Sequence, residues 1–299
     1  MPTTAGEVLT NYLAQQLAEL RHQEPLVRRE EPDSVHQMRM CARRLRSVLA
    51  TGQKLFNDGA VSEVRAELRW LSEVLGSARD PEVIHDRLRE LLAKEPDALV
   101  FGPAAQRIGN ELDATSAAGR RAVLEALDGD RYASLISRLE ALMQAPPLTE
   151  KAAGDARKTT RKLVSRDTKR VRRRVRELEA RPDGGSGEAS PAPGGPARDA
   201  GLHEVRKAAK RLRYAAEAAE PVAGRKAARM AKRAHKLQQI LGLHQDSVVA
   251  RKLLADLGAR AFRSGENGFT YGRLHAQEEA LADRSEAKFR KAWKKFPGS

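Results

Sequence analysis

A segment that occurs twice limits the fold of this chain more than any other feature. Residues 36–46 (HQMRMCARRLR) return as residues 203–213 (HEVRKAAKRLR), and both copies fit the pattern H-x-[MV]-R-x-x-A-[RK]-R-L-R. Each copy is followed, after nearly the same number of residues, by a second related segment. These segments are residues 71–80 (LSEVLGSARD) and residues 237–246 (LQQILGLHQD). Repetition of this kind indicates one supersecondary unit that is used twice.

Apolar residues recur every three or four positions through most of the chain, which is the spacing of amphipathic helices. The predicted helices cover residues 6–23, 34–56, 60–77, 80–94, 104–127, 130–144, 152–180, 201–219, 222–242, 245–258 and 269–295. Signals for β-strands are missing, because β-branched and aromatic residues rarely alternate with polar ones. We therefore predict an all-α protein with two related halves, residues 1–148 and 149–299. Residues 182–201, rich in Gly, Pro, Ser and Ala, predict a disordered linker inside the second half.

The repeated segment places its cations on one side of a helix. At about 100° per residue, the basic positions of the first copy fall within an arc of roughly 80°. The opposite side, which we expect to face the core, carries Met38, Leu45 and Leu49. The basic positions are His36, Arg39, Arg43 and Arg46. Their counterparts in the second copy are His203, Arg206, Lys210 and Arg213, with Tyr214 close to the histidine. Like charges at this spacing destabilise a bare helix, so the row indicates a bound anion that compensates them.

Two more predicted helices carry basic rows. One row consists of Lys158, Lys162, Arg166, Lys169, Arg173 and Arg176. The other consists of Arg225, Arg229, Lys232 and Lys236. Residues 149–299 hold 36 Lys/Arg against 18 Asp/Glu, whereas residues 1–148 hold 19 against 22. We therefore expect the second half to dominate the long-range attraction of a polyanion, and short polyanions to depend little on the row of the first half.

Composition narrows the classes of protein further. The formal net charge of +15 favours a polyanionic partner. The single cysteine, Cys41, excludes an internal disulfide framework and is expected to pack in the core. The N-terminus lacks a secretory pattern and no apolar run approaches the roughly 20 residues of a membrane span, so we expect a cytoplasmic protein without a membrane partner.

The two His-x-x-Arg segments, together with the Leu-Gly-x-x-x-Asp segments that follow them, resemble the conserved histidine α-helical domain, or CHAD, over nearly the whole chain. The resemblance implies two pseudo-symmetric four-helix bundles that face each other across a basic groove or pore. It also implies binding of long-chain inorganic polyphosphate, at polyphosphate granules in bacteria that make them. The phosphate-contacting positions would be the two rows that begin at His36 and His203. The long linker and the acidic first half depart from the family.

The complete predicted binding set adds neighbouring cations and one aromatic residue to these rows. It comprises His36, Arg39, Arg43, Arg44, Arg46, Lys158, Lys162, Arg166, Lys169, Arg173, His203, Arg206, Lys207, Lys210, Arg213, Tyr214, Arg229, Lys232 and Lys236. Arginine forks match phosphate oxygens in pairs. We expect Asp80 and Asp246 to orient those arginines or to cap helices.

We predict no enzymatic activity, no catalytic residue, no cofactor and no metal, because the phosphate-loop, zinc-protease, nucleophile-elbow and paired-cysteine motifs are all missing. Two alternatives stay open at this point. One is an enzyme that uses the histidines to bind metal or transfer phosphate. The other is a non-specific nucleic-acid binder, although twelve Phe, Tyr and Trp in 299 residues are few for stacking on bases.

Overall fold

The computed structural model describes residues 3–180 and 195–297, and within these ranges it holds α-helices and short 3-10 turns but no β-strand. The helices are α1 (Ala5–Arg28), α2 (Ser34–Thr51), α3 (Asp58–Leu92), α4 (Ala104–Asp128), α5 (Asp130–Gln144), α6 (Ala156–Glu179), α7 (Pro196–Ala223), α8 (Arg225–Arg263) and α9 (Phe269–Trp293). The predicted all-α class is confirmed. No helix in the described ranges is long and apolar enough to cross a membrane.

The described chain forms two compact units, and each unit combines three stretches of sequence. The first unit consists of Met1–Asp80, Thr115–Lys169 and Arg211–Lys232, and the second of Pro81–Ala114, Arg170–Lys210 and Arg233–Ser299. These units therefore do not follow the predicted boundary between residues 148 and 149. The pseudo-symmetric relation of the two halves, as four-helix bundles facing a groove, stays a prediction.

The core of the first unit is built from the apolar faces of its helices. Its fully buried side chains include Leu13, Leu20, Met38, Leu45, Leu49, Phe56, Leu68, Leu71 and Leu75. Burying one such side chain contributes about 1.5–3 kcal/mol relative to exposure. Cys41 belongs to the same cluster and is a free thiol, so its predicted packing role is confirmed.

A close helix approach also belongs to the first unit. A Cβ atom added at Gly119 in α4 would lie 2.2 Å from the carbonyl oxygen of Ser77 in α3. Backbone atoms cannot move aside as a flexible side chain can. Glycine at this position therefore allows the two helix backbones to touch.

The core of the second unit is smaller and includes Ile84, Leu88, Ile108, Leu112, Leu254 and Leu274. Buried carboxylates in this unit are matched by guanidinium groups. Glu278, fully buried, accepts two hydrogen bonds from Arg87, and Glu286 accepts from Arg198. Pairing is required because an unpaired buried charge is strongly destabilising.

The predicted helix breaks near residues 77–80 and 242–245 are wrong, because α3 and α8 continue through both. A glycine inside a helix costs only about 1 kcal/mol relative to alanine. Pro81 removes one backbone hydrogen bond, but buried leucines occur both before it and after it, at Leu75 and Leu88. The continuous apolar face outweighs both of these helix-breaking residues.

The predicted linker is also too long at its C-terminal end. Residues 182–194 lie outside the described residues, but α7 already begins at Pro196. Proline is favoured in the first helical turn because it has no N–H to satisfy there. Tertiary contacts hold this turn, since Arg198 bonds to Glu286 and Asp199 accepts from Arg251 over 3.1 Å. Residues 196–201 are therefore helical.

Candidate anion-binding site

Helix α2 places its apolar and basic residues on opposite sides, as its spacing predicts. Met38, Leu45 and Leu49 are completely buried. His36 and the arginines of the row at positions 39, 43 and 46 are partly exposed. The row therefore faces away from the core of the first unit, where an anion can reach it.

The guanidinium of Arg39 contacts α3 at Asp80 and at Gly76, and we call this contact of an arginine with a helix glycine a glycine seat. Its Nη1 donates to Oδ1 of Asp80 over 2.6 Å, and its Nη2 donates to Oδ2 over 3.1 Å. A Cβ atom added at Gly76 would lie 3.1 Å from the same Nη2, so the guanidinium rests on a part of α3 that has no side chain. The predicted role of Asp80 in orienting an arginine is confirmed.

The second repeat builds a similar seat inside the second unit. Gly242 of α8 faces Arg206, whose Nε and Nη2 would lie 3.7 Å from an added Cβ. His203 Nδ1 bonds to Oε1 of Gln245 over 2.5 Å. In the tautomer that has a proton on Nδ1, the imidazole donates to this amide oxygen. The Leu-Gly-x-x-x-Asp segments thus provide glycine seats for the arginines of the His-x-x-Arg segments.

Both histidines have a lowered pKa. Burial lowers the pKa of His36, and the charges of Arg79, Arg39 and Arg43 lower it further, against the opposing effect of Asp33. The imidazole of His36 therefore has three arginines and one carboxylate near it.

The pKa of His203 is also lowered first by burial, with further lowering by Lys207, Lys210 and Arg206. Its hydrogen bond to Gln245 acts in the opposite direction. An anion placed beside either imidazole would favour the protonated form.

Tyr214 does not face solvent, although the sequence placed it among the binding residues. The side chain is only 2% exposed. The guanidinium carbons of Arg44 and Arg213 lie 5.9 and 5.6 Å from its ring centroid. Glu217 accepts from Arg213 Nε over 2.6 Å and lies 3.7 Å from Arg44 Nε. Tyr12 also donates to Glu217, so this cluster fixes two arginines in place.

Five cations of the α6 row are exposed, namely Lys158, Lys162, Lys169, Arg173 and Arg176. Arg173 lies 3.5 Å from a carboxylate oxygen of Glu177.

Arg166 of the same row behaves differently. It donates to the carbonyl of Thr51, and Arg211 donates to the carbonyl of Ala50 over 2.7 Å. These two guanidinium groups satisfy the C-terminal end of α2, which has no basic residue in its own last turn.

The predicted row on α8 is exposed on the side opposite its buried leucines. Arg229, Lys232 and Lys236 face solvent, whereas Leu237 and Leu241 are buried. Lys207 of α7 is also exposed, but it forms an ion pair with Glu204 one turn earlier. The α8 row therefore offers cations without carboxylate partners among the described residues.

Three arginines of α3 lie beside the α2 row and are not among the predicted site residues. Arg65 and Arg69 lie one turn apart, and both contribute to lowering the pKa of Arg46, after burial, which is the largest cause. Arg79 lies close enough to His36 to lower its pKa. The spacing of residues 65 and 69 was a visible signal. Their proximity to α2 depends on the packing of two helices.

Together these features define an all-helical protein in which one His-x-x-Arg helix face, with its glycine seat, occurs twice. Among the described residues, no group of three or more His, Cys, Asp or Glu side chains is arranged to hold a metal ion. The chain belongs to the CHAD domain family, whose sequence profile matches residues 11–255.

Solved structures support this assignment. PptA from Streptomyces chartreusis is 25% identical and superposes with a TM-score of 0.79, covering 98% of this chain and 100% of that one. The CHAD domain from the plant Ricinus communis is 26% identical, with a TM-score of 0.73 and coverage of 97% and 91%.

A curated relative is the uncharacterized protein Rv2226 of Mycobacterium tuberculosis, 34% identical over 297 residues. The match covers 99% of this chain and 54% of that protein, so the chain spans about half the length of the curated relative it matches.

Proposed function

We propose that this protein binds inorganic polyphosphate on the basic faces of α2, α6, α7 and α8, without enzymatic activity. The observation that carries the proposal is the repeated seat, in which Arg39 and Arg206 each lie against a glycine of another helix. A helix face that is used twice and positioned twice is poorly explained as ordinary solvated surface. Within the cytoplasm, the proposed location is the polyphosphate granule.

The chemistry of the site favours a phosphate chain over a nucleic acid. Arginine forks pair with phosphate oxygens, and lysines add charge without fixed geometry. Non-specific binding of single strands usually requires exposed aromatic rings on which bases stack. Tyr214, the aromatic residue within these rows, is buried under two arginines. The site therefore offers charge and hydrogen bonds but no stacking surface there.

The carboxylates beside the rows support binding rather than phosphate transfer. A magnesium-dependent transfer site presents carboxylate oxygens to the metal. Here Asp80 accepts two hydrogen bonds from Arg39, and Glu217 is shared by Arg213, Arg44 and Tyr12. These oxygens serve to orient arginines.

The test is a calorimetric titration of the full chain with polyphosphate of defined length at two salt concentrations. We expect tight binding that weakens as salt rises, with no phosphate released in the presence of Mg²⁺ or Mn²⁺. Polyphosphate should displace DNA far more effectively than DNA displaces polyphosphate. Preferential retention of DNA would instead favour the nucleic-acid alternative, and phosphate release would favour the enzyme.

Paired variants locate the binding surface. Arg39→Gln with Arg43→Gln should strongly reduce affinity while the circular dichroism spectrum is unchanged, because these side chains lie on the exposed side of α2. The matched control is Lys94→Gln with Arg121→Gln, which removes two exposed cations outside the rows. Equal losses in the two double variants would mean that only total charge matters and that the rows are not the site.

A further inference from the structure

The two repeats differ at one point of their basic rows. Arg213 is followed one turn later by Glu217, whose Oε1 lies 2.6 Å from its Nε. The counterpart of Arg213 is Arg46, and one turn after Arg46 the sequence has Ala50. Arg46 makes no ion pair within the described part of the chain. The same row position is thus matched by a carboxylate in one repeat and left open in the other.

Helices α3 and α8, which carry the second repeated segment, also differ in charge, and again the first repeat has the additional cations. In the register of the second repeated segment, Arg65 and Arg69 of α3 correspond to Ala231 and His235 of α8. Ala231 is only 8% exposed and contributes no charge. The Nε of Arg65 is buried without a hydrogen-bond partner, and Arg65 has no ion pair among the described residues. The first repeat therefore carries two arginines that the second lacks.

Helices α2 and α3 follow each other through a short connection, and Arg39 of α2 contacts Gly76 and Asp80 of α3, so the two helices pack antiparallel. Two turns from this contact, Arg46 on α2 therefore lies opposite Arg69 on α3, with Arg65 one turn further along. Burial lowers the pKa of Arg46, and the charges of Arg69 and Arg65 lower it further, while Glu73 opposes them. Glu73 itself accepts from Arg69 Nε over 2.9 Å. Three arginines thus share one carboxylate, and one of them has a donor removed from water. An anion bound to Arg46 and Arg65 would offset the repulsion among the three positive charges.

We infer that Arg46, Arg65 and Arg69 form a site for short phosphate chains, such as tripolyphosphate, that only the first repeat provides. The inference rests on the proposed function and names the ligand class of one part of that surface. A phosphate that approached Arg213 would compete with Glu217, which is bonded to it, whereas the one carboxylate near Arg46, Glu73, is bonded to Arg69 instead. This proposal differs from the expectation, drawn from the total charge of each half, that the binding of short chains depends little on the first repeat.

A short chain is the ligand that reveals the difference. It spans few cations, so its affinity depends on the place where the local balance of charge is most favourable. A long chain contacts several rows, and the loss of one site is partly offset by the others. Arg46 and Arg65 should therefore matter more for tripolyphosphate than for long polyphosphate.

The experiment titrates the full chain with tripolyphosphate and with long-chain polyphosphate. It compares Arg46→Gln with Arg65→Gln, the matched double control Lys94→Gln with Arg121→Gln, and Arg213→Gln at the equivalent position of the second repeat. We expect the double variant to lose at least tenfold in tripolyphosphate affinity and clearly less for the long chain. The double control should lose less than threefold for tripolyphosphate, and Arg213→Gln should lose clearly less than the variant of Arg46 and Arg65. Wild-type protein should bind about one tripolyphosphate per chain. Arg46→Lys with Arg65→Lys, which keeps the charge and the fold, should recover part of the affinity.

The outcomes separate the two proposals. Equal tripolyphosphate losses in the double variant and in Arg213→Gln, with long-chain binding retained by wild type, overturn the short-chain site alone. Failure of the wild-type protein to bind either length overturns the proposed function itself. If the glutamine pair unfolds, the lysine pair decides the question. Unchanged affinity of the folded lysine pair for both ligands, together with a loss of tripolyphosphate affinity in Arg213→Gln, would show that the short-chain site lies elsewhere.

Discussion

The glycine seats lead to opposite expectations for two equivalent substitutions, Gly76→Ala and Gly242→Ala. An alanine at position 76 would bring its Cβ within 3.1 Å of Arg39 Nη2 and 3.4 Å of Asp80 Oδ2, so the guanidinium would have to shift by a few tenths of an ångström from its position on α3. At position 242 the nearest atoms of Arg206 would lie at 3.7 Å, an ordinary van der Waals separation.

The magnitudes follow from three contributions. Replacing glycine by alanine inside a helix stabilises it by about 1 kcal/mol. Asp80 is mostly exposed, so disturbing its ion pair costs about 0.2–1 kcal/mol. Gly76→Ala should therefore leave stability nearly unchanged, while displacement of the Arg39 guanidinium lowers polyphosphate affinity about three- to tenfold, or roughly 0.7–1.4 kcal/mol. Gly242→Ala should raise stability by up to about 1 kcal/mol at unchanged affinity.

Urea unfolding followed by circular dichroism gives the stability of each variant, and calorimetric titration with long-chain polyphosphate gives the affinity. The comparison is internal, because both variants add one methyl group at the same position of the repeat. Wild-type affinity in Gly76→Ala would show that the seat of Arg39 has no part in binding, and the explanation of the Leu-Gly-x-x-x-Asp segments would fail.

Further predictions concern salt, pH and packing. Affinity should fall linearly with the logarithm of salt concentration, and removing the charges of Lys158, Lys162 and Lys169 should reduce that slope by roughly two to three units; an unchanged slope would exclude these lysines from the contact. The folded-state pKa values of His36 and His203 are lowered, so the unfolded chain binds more protons below its ordinary histidine pKa of about 6.5. Stability should therefore fall between pH 7.5 and 5.5 while affinity rises, because a bound anion favours the imidazolium; thermal melting and titration at both values test this, and replacing both histidines by glutamine should flatten the two trends. Gly119→Ala should destabilise by more than about 2 kcal/mol in urea unfolding, since its Cβ meets backbone, and a wild-type unfolding midpoint would contradict that helix crossing.

Much of the local structure was predictable from residue order. Helical spacing correctly predicted that Met38 and Leu49 are buried and that the row of Arg39 faces away from them. The same periodicity gave the all-α class. The repeat also led to the pairing of each His-x-x-Arg segment with a Leu-Gly-x-x-x-Asp segment, because helix register is preserved over many residues once an apolar face is set.

Helix ends were less predictable. Gly76 and Pro81 are local signals for ending a helix, but the buried face of α3 continues past both. At Pro196 a predicted linker proved to be helical instead. The composition there is typical of a linker, but the contact of Asp199 with Arg251 holds these residues in α7. In both places, contacts with other helices outweighed a preference worth a few kcal/mol at most.

Where the partner of a cation lies on another helix, only packing decided it. In the sequence Arg166 and Lys162 belong to one row, but Arg166 donates to the carbonyl of Thr51, 115 residues away along the chain, and Lys162 remains exposed. The difference between Arg46 and Arg213 is local by contrast, since Glu217 follows Arg213 by one turn of the same helix. Spacing along one helix decides which side a cation faces and whether it has a partner one turn away. A carboxylate or carbonyl from a helix distant in sequence comes beside it only through the fold, because hydrogen bonds and desolvation act over a few ångströms in space.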